Sequence, residues 1–128
     1  MNIDMYTIKQ LFEDIHNNKP YKICLGNFLD DYYYSESEIK KRMIQEEPNR
    51  HPEIERFIYA YVAASVHKLA NDYNLDVPAW VFDEFYFLKE PHFAMNARGK
   101  LRLILMYESP AEFKFRNLFE VANTLSRV

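Results

Sequence analysis

The sequence has little cysteine and little glycine, and each scarcity excludes a class of site. A single cysteine, Cys24, cannot form an internal disulfide, so a reducing, cytoplasmic location is the simplest expectation. Cys24 is expected to be buried packing, because no nearby cation or helix start that would stabilise a thiolate is evident around it. Only two glycines, Gly26 and Gly99, occur in 128 residues. Neither of the common glycine-rich phosphate loops fits such a chain.

Long apolar runs and a strong charge of either sign are missing as well. No uncharged run reaches the roughly eighteen residues that a membrane span requires. The first residues carry neither the basic stretch nor the apolar block of a secretory signal. The formal charge of −3, from 16 basic and 19 acidic residues, provides no large positive field. This balance argues against direct nucleic-acid binding.

Residues that often carry catalytic or metal chemistry are present but dispersed. His16, His51, His67 and His92 show no paired metal-ligand spacing, and His51 with Glu55 on one helix face would be a weak zinc pattern. His67 is expected at the edge of the core, as a polar residue of the central helix. Adjacent acidic residues point in different directions on a helix, so the acidic pairs do not converge on a reaction centre. The sequence therefore predicts no catalytic residue, no cofactor and no metal.

What the sequence does contain is a helical, aromatic-rich pattern centred on residues 52–73. Its apolar residues recur at every third or fourth position, which predicts one continuous helix with Pro52 in its first turn and an end near Asn71–Asn74. They are Ile54, Phe57, Ile58, Tyr61, Val62, Val66, Leu69 and Tyr73. Such a helix is about 33 Å long, so shorter helices can pack along it. We expect an all-α, single-domain bundle over residues 1–128, with about five to six helices around this central helix.

Capping signals mark where the shorter helices should begin. The signals are Thr7 for the first helix, Pro20 for the second, Ser35 with Glu38 for the third, and Ser109 with Pro110 and Glu112 for the last. Phe113, Leu118 and Phe119 are expected to pack inward after that start.

The remaining segments are less regular. Residues 79–88 predict a short helix and an irregular turn, because their apolar residues are too continuous for an amphipathic helix. Residues 100–107 are interpreted as a helix and not as a buried strand, since no second strand is apparent and Leu101, Ile104 and Leu105 fit the helical period. Residues 123–128 are expected to form one more turn.

Two groups of residues are candidate contacts for a ligand or partner. Tyr32, Tyr33 and Tyr34 cannot share one helix face, so at least one is expected at the surface or at an interface, and Tyr33 is taken as the candidate. The second group lies in the C-terminal third, where polar residues alternate with phenylalanines: Arg102, Glu108, Glu112, Arg116 and Asn117. Two interpretations stay open. The group either holds the last helices together, or it forms a small polar pocket beside Trp80 for a carboxylate, a phosphate or a partner's side chain.

Six short stretches of the C-terminal half carry a resemblance to a known family. They are Pro78–Trp80, Phe87–Phe93, Leu101–Arg102, Glu108–Phe113, Arg116–Phe119 and Asn123–Leu125. Residues 78–128 resemble an uncharacterised family of small bacterial helical proteins and domains, found alone or behind helix-turn-helix modules and associated with toxin–antitoxin-like gene pairs. The resemblance implies a bacterial cytoplasmic protein that acts through a partner, and it implies no catalytic residue.

The expected function is that of a protein-interaction module, as the non-catalytic, antitoxin-like or regulatory member of a bacterial gene pair. The aromatic residues exceed what the central helix can bury, which favours a protein partner or self-association. The alternative is a small-ligand-binding protein or an enzyme that uses a polar pocket near Trp80 and Arg116. A nucleic-acid-associated role ranks third.

Overall fold

A 17-residue helix, Arg56–Asp72, occupies the middle of the hydrophobic core. The computed structural model describes residues 5–127, and its α-helices are α1 (Ile8–His16), α2 (Tyr21–Tyr34), α3 (Ser37–Gln45), α4 (Arg56–Asp72), α5 (Lys100–Glu108) and α6 (Ala111–Lys114). The expectation of a mostly helical single domain around a long helix is confirmed. Among residues 5–127, no helix combines the length and the apolar character needed to cross a membrane.

Helix α4 is buried on more sides than one stripe requires. Of its predicted apolar residues, Ile58, Val62, Val66 and Leu69 are buried, whereas Phe57 and Tyr61 are partly buried and Tyr73, just past its end, is 41% exposed. Small residues on the other sides are buried too: Ala60, Ala63, Ala64, Ser65 and Ala70. Small side chains let neighbouring segments approach the helix closely. The Phe12 ring of α1 stacks on Tyr59 with centroids 4.3 Å apart. The hydroxyl of Tyr32 in α2 donates to the Leu69 carbonyl at 3.4 Å, so α1 and α2 both hold α4.

The predicted start of the central helix at Pro52 is wrong, because α4 begins at Arg56. The Tyr59 hydroxyl donates to the Asn49 carbonyl and accepts from the His51 N–H, both at 2.7 Å. These bonds hold residues 49–51 across the first turn of α4. The Ile54 N–H then closes a turn onto the His51 carbonyl at 3.1 Å. His51 and Glu55 consequently share no helix face.

The capping signals succeed at some helix starts and fail at others. The Thr7 side chain accepts from the Gln10 N–H at 3.1 Å, as predicted for α1, and α2 follows Pro20 directly. The Ser35 box does not form, because its hydroxyl bonds back to the Asp31 carbonyl at 2.7 Å. The Ser109 box does not form either, since the buried Ser109 hydroxyl donates to the Leu118 carbonyl at 3.2 Å and accepts from the Glu120 N–H at 3.1 Å. In both cases the serine satisfies a different backbone group.

The segment between α4 and the chain end contains the irregular structure. Single 3-10 turns form at Ala79–Phe82, Glu84–Tyr86 and Ala94–Asn96. Two residues, β1 (His92–Phe93), pair in parallel with β2 (Leu118–Phe119), a strand pair that the sequence did not indicate. Residues 122–125 form the expected last turn, whereas Val128 lies outside the described residues.

Helix α5 confirms the choice of helix over strand for residues 100–107, but its packing differs from expectation. Of the three residues assigned to its inner face, Leu105 is buried while Leu101 and Ile104 are exposed. The apolar period therefore located the helix without locating its contacts.

Candidate interaction surface

Arg116, the centre of the predicted polar pocket, is completely buried. Its guanidinium donates to the Val81 carbonyl at 2.8 Å, to the Glu112 carbonyl at 2.9 Å and to Nδ1 of His67 at 3.1 Å. Directly after Arg116 the backbone turns at Asn117, which adopts a positive φ of 63°. The Asn117 side chain holds this turn by donating to the Leu88 carbonyl at 2.8 Å. Arg116 thus joins α4, α6 and the turn at residues 79–82.

Aromatic rings surround the Arg116 guanidinium, which forms no ion pair within residues 5–127. Its guanidinium carbon lies 4.8 Å from the ring centroid of Phe87, 5.6 Å from that of Phe115 and 6.0 Å from that of Phe82. Ring faces stabilise a cation electrostatically. Nε of Arg116 is the buried side-chain nitrogen without a hydrogen-bond partner among residues 5–127. Burial lowers the pKa of Arg116 to about 10, which still leaves the side chain charged at neutral pH.

His67 completes this cluster as a neutral acceptor. Burial lowers the pKa of His67, and the neighbouring Arg116 charge lowers it further, while Glu112 acts weakly in the opposite direction. A neutral imidazole can accept the hydrogen bond from Arg116, whereas a charged one cannot. His67 is therefore part of the core edge, as its position on the central helix predicts.

We expect acidification to destabilise the protein through His67. The folded state resists protonation of His67, so the unfolded chain binds more protons once the pH falls below the ordinary histidine pKa of about 6.5. Stability should be complete above that value and should decline below it. Denaturant unfolding between about pH 7.5 and about pH 5.5 measures how the free energy of unfolding changes with pH. This pH interval lies above the range where carboxyl groups titrate. The His67→Gln variant should show a smaller slope; equal slopes would contradict the assignment.

The other predicted contact residues are engaged in internal bonds at separate places. The Trp80 indole N–H donates to the Ile44 carbonyl at 3.0 Å, and the Tyr33 hydroxyl donates to the Leu125 carbonyl at 2.7 Å. Nε of Arg102 donates to the Ala97 carbonyl at 2.8 Å. Burial raises the pKa of Tyr33 to about 12. Of the three adjacent tyrosines, Tyr34 is the exposed one, with 93% of its surface accessible.

Glu108 leads to a different surface, the outward side of α5. Within this nine-residue helix only Leu105 is buried, and the helix carries apolar side chains around its whole circumference. Leu103 is 65% exposed, Ile104 is 50% exposed and Tyr107 is 86% exposed. A helix that is apolar all round normally lies inside a protein. Helix α5 therefore lacks the cover that its sequence requires.

The outward residues of α5 form a stripe at helical spacing. Lys100, Leu103, Ile104 and Tyr107 follow positions i, i+3, i+4 and i+7, and Glu108 lies at the edge of the same side. We call these five residues the α5 face. The stripe begins with a positive charge and ends with a negative one. Neither Lys100 nor Glu108 belongs to an ion pair formed within residues 5–127.

A second exposed aromatic lies close to the end of the α5 face. Nζ of Lys114 donates to the Tyr107 carbonyl at 3.1 Å, which ties α6 to the last turn of α5. The next residue, Phe115, is 58% exposed. Phe115 is therefore a further exposed aromatic residue, on the segment that Lys114 ties to α5. The sequence signal for this surface was present, because residues 101–107 are apolar at every position except Arg102.

Comparison with protein-family models, with curated proteins and with solved structures finds no match to this chain. The resemblance of residues 78–128 to small bacterial partner-dependent proteins stays a prediction.

Proposed function

We propose that this protein is a non-enzymatic interaction module that docks through the α5 face, and that the molecule it docks onto is a second copy of itself. The observation that carries the proposal is the exposure of a helix that is apolar on all sides. Burying such side chains contributes about 25 cal/mol per Å² of apolar surface. Exposed contiguous apolar surface of this kind is typical of interaction sites.

The charges at the ends of the α5 face favour a second copy as the occupant. If two α5 helices pack antiparallel about a two-fold axis near Ile104, Lys100 of each copy lies opposite Glu108 of the other. Ile104 then faces its own counterpart at the axis, and an opposite-charge pair lies at each end of the interface. A parallel arrangement would instead place like charges together, at a cost in free energy.

The resemblance of residues 78–128 to small bacterial helical proteins supports a biological setting for this proposal. In a bacterial cytoplasm, the module would be the antitoxin-like or regulatory member of a gene pair, and α5-mediated pairing would set its oligomeric state. The engaged side chains of Arg116, Trp80 and Asn117 support a structural role for the C-terminal polar group. An interaction module therefore fits better than a ligand pocket at that position.

Light scattering coupled to size exclusion tests the proposal on the tag-free protein. A nine-residue helix is about 13 Å long, so the interface belongs to the small class and should be measured at about 100 µM protein as well as after dilution. We expect a dimer that dissociates on dilution. Lys100→Glu and Glu108→Lys should each weaken it, and the double variant should restore it, because the charges meet again in reversed order. A monomer at the higher concentration would contradict self-association.

A further inference from the structure

We propose that His16, His51 and Glu53 form a binding site for a divalent transition metal of the zinc type. This site goes beyond the proposed interaction function and lies on different elements. His16 ends α1, whereas His51 and Glu53 belong to the turn before α4. One donor atom from each residue lies within 4.8 Å of the other two.

The donor set suits zinc and its neighbours. Imidazole nitrogen and carboxylate oxygen are standard zinc ligands, with metal–ligand distances of about 2.0 to 2.2 Å. Two histidines and one glutamate leave a fourth position for water. Tetrahedral coordination needs donor atoms about 3.3 Å apart, so the side chains must adjust slightly around the ion. The partly exposed His16 and Glu53 side chains have the freedom to rotate, since 44% and 54% of their surfaces are accessible.

Each histidine ring of the cluster is hydrogen-bonded to a carboxylate. The His16 ring donates to Glu53 and the His51 ring donates to Glu13, the latter at 2.6 Å. The two imidazole rings stack at 4.0 Å. A metal would take one ring nitrogen from each neutral imidazole as a ligand.

The turn that carries two of the ligands is held rigidly from below. Tyr59 fixes the backbone on both sides of residue 50 through its bonds to Asn49 and His51. The Asn49 side chain donates to Glu13 at 3.3 Å, and Glu13 in turn orients the His51 ring. Carboxylates that hold a ligand histidine in this way are a regular part of zinc sites. Glu13 is a positioning residue here, and the ion would link α1 to the turn before α4.

Zinc titration of tag-free, chelator-treated protein tests the site. Calorimetry with ZnCl2 should give one saturable site per chain, and saturation should raise the melting temperature by about 5 °C or more. His16→Gln and His51→Gln should each weaken binding at least about tenfold. His92→Gln and Cys24→Ser should leave it unchanged. His92 stacks on Phe57 and Cys24 is buried, both on other elements.

Nuclear magnetic resonance of the histidine rings provides a second readout that does not depend on the variants' stability. Zinc should shift the ring nitrogens of His16 and His51 and leave those of His67 and His92 in place. Absence of saturable binding, binding that survives both glutamine variants, or ring shifts at other histidines would each overturn the proposal. None of these results bears on the dimer, because the α5 face lies on other residues.

Discussion

Arg116→Ala should destabilise the protein by about 3 to 5 kcal/mol, which corresponds to a loss of roughly 10 to 20 °C in melting temperature. The substitution removes a side chain that is fully buried and leaves a cavity behind. It also leaves the carbonyls of Val81 and Glu112 without their guanidinium partner. An orphaned buried acceptor costs about 1 to 3 kcal/mol. Denaturant unfolding followed by circular dichroism measures the change.

Two further variants separate the bonds of Arg116 from its charge. Arg116→Lys keeps the charge but lacks the planar fork that reaches Val81, Glu112 and His67 together, so it should recover only part of the lost stability. Arg102→Ala is the matched control. Arg102 is exposed, donates to one carbonyl and lies over the Phe93 ring, so its loss should cost about 1 kcal/mol or less.

The same experiment distinguishes structural glue from a ligand pocket. If the guanidinium served only to bind a ligand, its removal would cost the ligand-free protein little stability. The removal could even stabilise that protein. A stability within about 1 kcal/mol of the wild type in Arg116→Ala would therefore contradict the core role assigned to this residue.

Helices with strong local signals could be predicted from the sequence. Thr7 caps α1 through a bond between residues three apart, and Pro20 precedes α2 by one position. Such contacts depend on the nearest neighbours alone. The prediction that residues 52–55 are helical failed for the opposite reason. The Tyr59 hydroxyl bonds the backbone of residues 49 and 51 and holds the preceding segment in a turn, and no local sequence pattern indicates that contact.

The candidate site was harder to predict, because burial decides the role of a polar side chain. The sequence around Arg116 is the same whether its side chain faces solvent or the core. Only the fold brings Val81 and His67 into contact with it. Conversely, Leu103 and Ile104 carry the signal of buried residues, yet the structure leaves them exposed. Apolar patterning reports that surface must be covered. It does not report whether the cover comes from the same chain.

Ile104→Asp should weaken self-association by about a hundredfold or more, which is roughly 3 kcal/mol. Ile104 lies in the middle of the α5 face, where a two-fold axis would bring the two copies of this residue together. The substitution would remove apolar contact from both copies and set two carboxylates against each other at the axis. Sedimentation velocity over a dilution series measures the dissociation constant. Because Ile104 is half exposed in the single chain, the melting temperature of the monomeric variant should change little.

Ile23→Asp is the matched control for this effect. Ile23 is 60% exposed on α2, so the same change adds the same charge to a similarly exposed isoleucine on another element. The control should keep the dissociation constant of the wild type. If both variants weakened the dimer equally, net charge and not the α5 face would govern association. If the Ile104→Asp variant still formed the dimer with the dissociation constant of the wild type, the two copies would meet at another surface. Selective loss in Ile104→Asp is the result that only an interface centred on α5 produces.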